Sequence, residues 1–185
     1  KTVSLLKEYP DEILYNGLLA DIYRSKGESG RALEVYNQLL EKNPDSPQIQ
    51  LSLCDFLISE KSYADLFMLL NTVILNTDIE RENKISLMAR LIEIPDLGKE
   101  WEDKLIISLM VLEANYKNDD IMPLLRPELM IKQKRLSDAE ARLEEIIAVN
   151  PENYYAWEKL LIVYLRLKDY EKLFVFSYNS EFFNR

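Results

Sequence analysis

The chemistry open to this chain is limited by the residue types that it lacks. Its 185 residues include no His and one Cys, Cys54. This composition excludes catalytic triads built on His, and zinc or iron sites made of His or clustered Cys. Catalysis by two carboxylates needs no His, but nothing in the sequence brings two of the 32 acidic residues into one apolar pocket. No glycine-rich loop follows a strand to hold phosphate, so we expect no enzymatic activity, no cofactor and no metal.

The charge of the chain restricts its partners. Its 23 Lys and Arg residues leave a net charge of -9, so the average surface repels nucleic acid and anionic lipid headgroups. The densest basic segment, residues 132–135, is short and is followed by an acidic run, which is typical of a solvated turn. The longest apolar run, residues 105–112, is too short to span a bilayer. We therefore expect a protein or peptide partner, no nucleic acid and no transmembrane segment.

The localisation is left open by the sequence. The chain begins with Lys1 and shows no basic-then-apolar leader, so a removed signal or lipid anchor is compatible with it. One Cys forms no internal disulfide, which agrees with both an oxidising and a reducing compartment. The compartment therefore stays unknown at this point.

The elements that must position any functional side chain follow a repeat of about 34 residues. Pro10 and Pro44 are one such period apart, and each ends a stretch with apolar residues at helical spacing. Pro151 lies three periods beyond Pro44 with a remainder of five residues. We place this insertion in a long second helix of the third unit. With only 4 Gly and 7 Pro in the chain, the pattern predicts an all-α protein.

The first complete unit has the features of a helical hairpin. Apolar residues line one face of each helix, and residues 26–30 form the turn between them. Small Ala20 and Ala32 allow the two helices to approach, and Pro44 stops the second helix.

This pattern resembles the tetratricopeptide repeat family. The matching residues of the first unit are Asn16-x-x-Leu19-Ala20-x-x-Tyr23, Ala32-x-x-x-Tyr36 and Pro44, and those of the last unit are Trp157-x-x-Leu160-Leu161-x-x-Tyr164. The resemblance implies a right-handed α-α superhelix, or solenoid, of tetratricopeptide-like helical hairpins. It also implies a non-enzymatic protein-protein interaction scaffold.

The period predicts a single solenoid over residues 1–185. Its expected units are a partial repeat at residues 1–10, repeats at 11–46, 47–80, 81–119 and 120–153, and an atypical last repeat at 154–185. Cys54 falls in the small-residue position that Ala20 has in the first unit, so we expect a buried, inert thiol. In the fourth unit Arg126 and Pro127 replace the expected Leu and small residue. A helix interior does not accommodate proline without a kink, so we expect a bent or late-starting helix there.

Both ends of the chain lack the polar cap that a solenoid needs. Residues 1–9 resemble the second helix of a unit without its first helix, and the other end is rich in aromatic residues. Two interpretations remain open. The chain is part of a longer repeat protein, or its uncapped ends associate in a homo-oligomer.

In the tetratricopeptide repeat family, the first helices of successive units line a concave groove that selects the partner. The phase of the repeat assigns candidate partner contacts to this groove: Leu14, Leu51, Asp55, Ile58, Ile85, Ile92 and Tyr155. The stripe is mainly apolar with an acidic minority, which favours an amphipathic helix or an apolar peptide with some basic residues. An alternative is that the superhelix buries part of this stripe. Gly17 and Asp21 stand where the chaperone-tail clamp needs Lys and Asn, which disfavours that subclass.

A second function stays open at this stage. Tetratricopeptide units also form the scaffold of helical glycan-binding, nutrient-uptake lipoproteins, and Tyr154-Tyr155-Ala156-Trp157 offers aromatic faces to sugar rings. Against this alternative, Trp157 fits the packing position of the repeat, and the chain lacks the long loops that build sugar sites.

Overall fold

Most helices of this chain arise from stretches of 13 to 17 residues in which apolar side chains recur with helical spacing. The structure, a computed structural model, describes the backbone of residues 13–179 and the side chains of residues 17–175. Over that range all regular structure is helical. The α-helices are α1 (Ile13–Ser25), α2 (Ser29–Lys42), α3 (Pro47–Ser59), α4 (Tyr63–Leu75), α5 (Arg81–Glu93), α6 (Lys99–Asn115), α7 (Leu125–Lys132), α8 (Leu136–Val149), α9 (Tyr154–Leu167) and α10 (Tyr170–Asn179).

The chain divides into two compact units, residues 1–84 and residues 85–185. In the first unit α1 packs on α2, α2 on α3 and α3 on α4, and α1 also contacts α3. In the second unit α6 packs on α7, α7 on α8, α8 on α9 and α9 on α10. Sequential packing of this kind is typical of helical repeat proteins. It confirms the predicted fold class, an all-α fold of tetratricopeptide-like helical hairpins, while the expected repeat boundaries stay predictions.

The turn inside four of the hairpins has one geometry, which recurs along the chain. Gly27, Lys61, Lys134 and Lys168 all adopt a left-handed backbone with φ between 57° and 74°. The next residue in each case donates its backbone N–H to the carbonyl of a residue five positions earlier, as Glu28 does to Tyr23 across 2.9 Å. This is the Schellman ending of a helix, which satisfies carbonyls that have no partner within the helix. The left-handed residue gives each of these hairpins a common reference position.

Small residues at the contact between paired helices let their backbones approach. Ala20 is 1% exposed and Ala32 is completely buried, as the sequence predicts for the first hairpin. In the second unit Ala139 stands at the position of Ala32, and both Ala139 and Ala156 are completely buried. Cys54 is buried as well, so the predicted position of its thiol is confirmed.

Asparagine side chains hold successive inter-repeat loops together. In the first unit Asn76 donates to the carbonyl of Asp45 across 2.9 Å and to the side chain of Gln50 across 3.0 Å. In the second unit Asn150 and Asn153 donate to the carboxylate and the carbonyl of Asp120, each across 2.8 Å. These bonds satisfy polar groups in loops where helices begin and end.

Prolines shape the first helix of the fourth repeat. A short 3-10 helix, Met122–Leu124, contains Pro123 and precedes α7, which has only 8 residues. Pro127 lies in the first turn of α7, where a backbone N–H has no carbonyl partner and none is lost. The predicted late start of this helix is confirmed. The predicted long helix is confirmed too, because α6 has 17 residues.

Within residues 13–179, every helix is too short or too polar to cross a membrane.

Candidate functional site

The left-handed turn residues align the first helices of the repeats. Counting back six positions from each turn residue reaches Asp21, Asp55, Glu128 and Ile162. Counting back nine positions reaches Leu18, Ser52, Leu125 and Lys159. Residues at one position of the repeat have equivalent places in their hairpins, so their differences in charge can be compared directly.

In the first unit, the contacting first helices α1 and α3 carry a set of candidate surface residues. We call it the acidic face and define it by Gly17 and Asp21 of α1 with Leu51, Asp55 and Ile58 of α3. Asp21 and Asp55 are exposed, whereas Leu51 and Ile58 are half-buried. Leu51 and Ile58 each lie one helical turn from Asp55, so all three share one side of α3. The acidic face therefore combines apolar side chains with two carboxylates.

Gly17 has no side chain, so the backbone of α1 is accessible in this part of the surface. A Cβ atom at Gly17 meets no other atom within 4 Å. Glycine in a helix interior costs about 1 kcal/mol relative to alanine, and neither a positive φ nor a close neighbour requires glycine here. Gly17 thus leaves room for a close approach to α1 from solvent.

Tyr36 is a buried tyrosine of α2 whose hydroxyl group is affected by the charges of Asp21 and Asp55. Tyr36 is 6% exposed, and its ring centroid lies 5.4 Å from that of Phe56 on α3. Burial raises the pKa of the Tyr36 hydroxyl, the Asp21 and Asp55 charges raise it further, and Arg24 lowers it. Among the contacts of residues 17–175, this hydroxyl has no hydrogen-bond partner.

Arg24 forms an ion pair with Asp21. The two side chains belong to the same helix and lie 3.4 Å apart, with 44% and 55% of their surfaces exposed. Exposed pairs at this spacing contribute little, because water screens both charges.

In the second unit the equivalent acid has a cation from the next first helix. Lys159 of α9 donates to Glu128 of α7 across 2.7 Å. This ion pair neutralises the charge of Glu128. Glu128 stands at the repeat position that Asp21 and Asp55 occupy in the first unit. Tyr155 and Ile162 lie on the same helix as Lys159 and are 54% and 39% exposed.

The two candidate residues on α5 differ in their exposure to solvent. Ile85 is half-buried, but Ile92 is only 2% exposed and belongs to the core. A buried side chain offers a partner no contact, so Ile92 leaves the candidate surface. The exposed part of this helix instead borders an open, largely apolar depression of about 480 Å³, lined by Ser86, Ala89, Arg90, Glu93, Ile94 and Pro95.

A buried cluster of charges joins three helices of the second unit. Glu113 of α6 accepts hydrogen bonds from Arg126 of α7 and Arg142 of α8, each across 3.0 Å, and its side chain is 12% exposed. Arg142 also contacts the exposed Glu145 across 2.8 Å. One Glu113 oxygen and the Nε atoms of both arginines are buried without a partner among the described residues. This cluster therefore has a structural position between helices.

A buried tyrosine of the second unit has an acceptor of its own. The Tyr164 hydroxyl donates to Glu144 across 3.3 Å, and burial followed by the Glu144 charge raises its pKa. Lys172 lies over the Tyr164 ring and donates to Glu140, a contact that raises the pKa of Lys172. The Tyr164 hydroxyl is thus held by the carboxylate of Glu144 on α8.

The structure brings together some of the residues that the sequence selects. Leu51, Asp55 and Ile58 share the acidic face, while Tyr155 lies in the second unit. The side chain of Leu14 lies outside the described residues. The repeat motif includes Tyr36 but does not single out its hydroxyl group; the available signal was a tyrosine at the position where later repeats have Leu70 and Leu143.

Other kinds of site find little support in the described part of the chain. Residues 17–175 contain no cluster of three or more acidic or Cys side chains arranged to hold a metal ion. Tyr154 and Tyr155 are exposed, but Trp157 packs on the core cluster of the last two repeats and donates to the Pro151 carbonyl across 2.9 Å. The aromatic run therefore does not present Trp157 as a stacking face, and the glycan-binding alternative is unsupported.

Comparison with known proteins agrees with the packing of the hairpins. Residues 14–56 and residues 131–172 match the tetratricopeptide repeat family. This chain is a tetratricopeptide repeat protein. Proteins of this family are generally non-enzymatic scaffolds that bind other proteins, so the chain is a protein-interaction scaffold. No curated protein sequence matches it.

Solved structures of other tetratricopeptide repeat proteins are similar to this one. A tetratricopeptide repeat protein from Parabacteroides merdae has a TM-score of 0.51 and 13% identity, over 95% of this chain and 68% of that chain. YrrB, a tetratricopeptide repeat protein with an unusual peptide-binding site, has a TM-score of 0.47 and 13% identity, over 95% and 88% of the two chains. TTC0263 from Thermus thermophilus has a TM-score of 0.43 and 17% identity, over 82% and 81%. The similarity to the Parabacteroides merdae protein supports the fold alone, because the two sequences are only 13% identical.

Proposed function

We propose that this tetratricopeptide repeat protein binds a peptide or helix of a partner protein on the acidic face of its first unit. The observation that carries the proposal is the composition of that surface. Half-buried Leu51 and Ile58 lie on either side of the exposed Asp55, so apolar surface and charge alternate along one helix. A partner that covers Leu51 and Ile58 gains about 25 cal/mol for each Å² of apolar surface removed from water.

The neighbouring helix favours the same location. Gly17 leaves open space on α1, and α1 contacts α3. A partner backbone can therefore approach α1 while its side chains reach α3. Tyr155 and Ile85 remain candidates for further contacts, since both side chains keep some exposure.

Selection of peptides from a random display library on the immobilised chain tests this proposal. We expect selected peptides to lose binding to Leu51→Asp/Ile58→Asp, because two carboxylates in the apolar part of the face oppose an apolar ligand. The matched control is Met68→Asp/Leu75→Asp, which adds the same charges to exposed apolar positions of α4 in the same unit. This control should bind as the unchanged chain does.

A second variant keeps the test informative if the first variant unfolds. Gly17→Leu adds a side chain where the fold has open space, so circular dichroism and thermal melting should show an intact chain. We expect its peptide affinity to fall about tenfold or more, since the leucine occupies the space that a partner needs. Peptides that bind Gly17→Leu and Leu51→Asp/Ile58→Asp as tightly as the unchanged chain would place the interaction elsewhere.

A further inference from the structure

The longest apolar run of the sequence forms the centre of α6, which has apolar side chains on two of its sides. On one side Leu105, Leu109 and Leu112 are buried in the core. On the other side Ile107 is 62% exposed and Met110 is 50% exposed. Helices that are apolar all round are typically covered on every side. The exposed side of α6 therefore has the composition of a contact surface.

The exposed sides of other second helices have a different composition. On α2 the residues that face solvent at helical spacing are charged or polar: Arg31, Glu34, Gln38 and Glu41. On α4 the exposed Asn71 separates Met68 from Leu75. The apolar centre of the exposed side of α6 is therefore not a general property of second helices in this chain.

The exposed residues of α6 have the spacing of a seam between two paired helices. We call them the α6 seam and define it by five exposed residues: Asp103, Ile107, Met110, Ala114 and Lys117. Successive members are four, three, four and three positions apart, which is the spacing of side chains between two helices that pack side by side. Large Ile107 precedes Met110, and small Ala114 follows it. In an antiparallel pair each Ile107 lies opposite an Ala114, so the two helices can approach closely.

The charges of the α6 seam are symmetric about Met110. Asp103 lies seven residues before Met110, and Lys117 lies seven residues after it. Among the residues that the structure describes, neither of these two side chains forms an ion pair. Asp103 and Lys117 are about 20 Å apart along the helix axis, so they cannot pair within one chain. A second copy that runs in the opposite direction brings a Lys117 to each Asp103.

We propose that the α6 seam binds a second copy of this chain, as an antiparallel pair of α6 helices whose two-fold axis passes beside Met110. Both copies then use the same surface, as a two-fold interface requires. This dimer uses a surface of the second unit and goes beyond the proposed function, which concerns the first unit. One pair of short helices buries less than the roughly 1,200 Å² of a standard interface, so we expect a dissociation constant on the order of 100 μM.

The net charge of the chain opposes association at long range but not in the seam itself. Each copy carries a net charge of -9. At about 0.15 M salt, repulsion between exposed charges more than about 8 Å apart is largely screened. Apolar contacts at Ile107 and Met110 do not depend on this screening. Association is therefore measured at this salt concentration.

Sedimentation equilibrium from about 10 μM to 1 mM protein tests the dimer. We expect Ile107→Asp/Met110→Asp to weaken association at least about tenfold, because carboxylates of both copies then meet in the seam. The matched control Met68→Asp/Leu75→Asp adds the same charges at exposed positions of α4 and should change association less than about twofold. Circular dichroism should show an intact fold for both variants, since all four positions are exposed.

An exchange of charges tests the antiparallel arrangement. Asp103→Lys alone places two lysines together at each end of the seam, and Lys117→Asp alone places two acids there. Each single variant should associate about tenfold more weakly than the unchanged chain. The double variant Asp103→Lys/Lys117→Asp restores opposite charges at both ends and should return to within about threefold of the unchanged chain.

A cysteine at the two-fold axis gives an independent readout. A disulfide forms only when the two Cα atoms lie within about 7 Å, which residues beside the axis satisfy. Diamide oxidises two thiols to a disulfide, so it should link Met110→Cys into covalent dimers. Leu75→Cys, at a position of α4 that is 65% exposed, is the control and should stay largely monomeric. Cys54 is buried and should form no link in the unchanged chain.

Three outcomes would overturn the dimer. A chain that stays monomeric to about 1 mM has no such interface. Association that ignores Ile107→Asp/Met110→Asp uses another surface. Association that responds to these substitutions, but is not restored by the charge exchange, has another arrangement or another occupant of the seam. None of these outcomes affects the proposed function, whose display-selected peptides respond to Gly17 and Leu51 in the first unit.

Discussion

Acidic side chains have different surroundings in the two units of this protein. In the second unit Glu113, Glu128 and Glu140 each receive a hydrogen bond from an Arg or Lys of another helix. In the first unit Asp21 and Asp55 are exposed on neighbouring helices, with Arg24 of the same helix beside Asp21. One repeat position therefore carries an ion pair between two helices in one unit and exposed acids in the other.

The two kinds of acid also differ in energy. Removing one member of a buried ion pair leaves the other charge without compensation, which costs several kcal/mol. Exposed carboxylates lose little when they are neutralised, because water solvates them in any case. Substitutions in the second unit should therefore change stability, and those on the acidic face should change binding.

The largest expected effect is the loss of the buried cluster in the second unit. Glu113→Gln leaves Arg126 and Arg142 without their shared carboxylate, and we expect the free energy of unfolding to fall by about 3 kcal/mol. Denaturation by urea measures this change. Glu145→Gln removes an acid that is 66% exposed from the same cluster and should cost less than about 0.5 kcal/mol. Equal effects of the two substitutions would show that burial does not set the difference.

The second prediction tests the turn residues that align the two units. Gly27 has φ of 74°, so Gly27→Ala should lower the free energy of unfolding by about 1 kcal/mol although a Cβ atom meets no neighbour. Gly30→Ala also adds a Cβ atom into open space, but inside a helix, and should raise stability by about 0.5 kcal/mol. Thermal melting measures both. If the two changes had the same sign, the left-handed turn would not be the required feature.

The third prediction opens the second unit to a ligand. Lys159→Ser removes the cation from Glu128 and recreates the arrangement of Asp21 and Ser52, at a cost of about 0.5 kcal/mol in stability. Isothermal titration should then show an additional binding event for a synthetic amphipathic peptide of Leu and Lys. Lys168→Ser, at the exposed turn after the same helix, is the charge-matched control and should not add one. An unchanged stoichiometry in Lys159→Ser would mean that Lys159 does not close an otherwise usable site.

The smallest expected effect concerns the Tyr36 hydroxyl. Tyr36→Phe keeps the ring contact with Phe56, and the hydroxyl has no hydrogen bond to lose among the described residues, so stability should change by less than about 0.5 kcal/mol. Tyr164→Phe removes a hydroxyl that is bonded to Glu144 and should cost about 1 kcal/mol in stability instead. Equal losses of stability in Tyr36→Phe and Tyr164→Phe would show that the hydrogen bond to Glu144 does not set the difference.

Much of the fold follows from the sequence because its signals are local. Helical spacing of apolar residues, proline at helix ends and small residues at helix contacts each act within one or two turns. The same reasoning predicts the late start of α7, since Pro127 is tolerated only near a helix beginning. It also places Cys54 in the core through its alignment with Ala20.

The candidate site follows from the sequence only in part. Ile85 and Ile92 are seven residues apart and share one side of α5, yet only Ile92 is completely enclosed. Spacing along a helix predicts direction, but burial depends on which neighbouring elements cover each turn. For this reason the phase of the repeat selects both isoleucines, and only the structure separates them.

By itself, the sequence determined the helices, the period of the repeat and the positions of acids at equivalent points of successive units. Only the tertiary structure decided that Glu128 and Glu113 pair with cations of other helices. Lys159 and Glu128 are 31 residues apart, and the Glu113 cluster joins three helices. Such contacts depend on the packing of side chains between helices, to about an ångström, and helical periodicity carries no information at that scale.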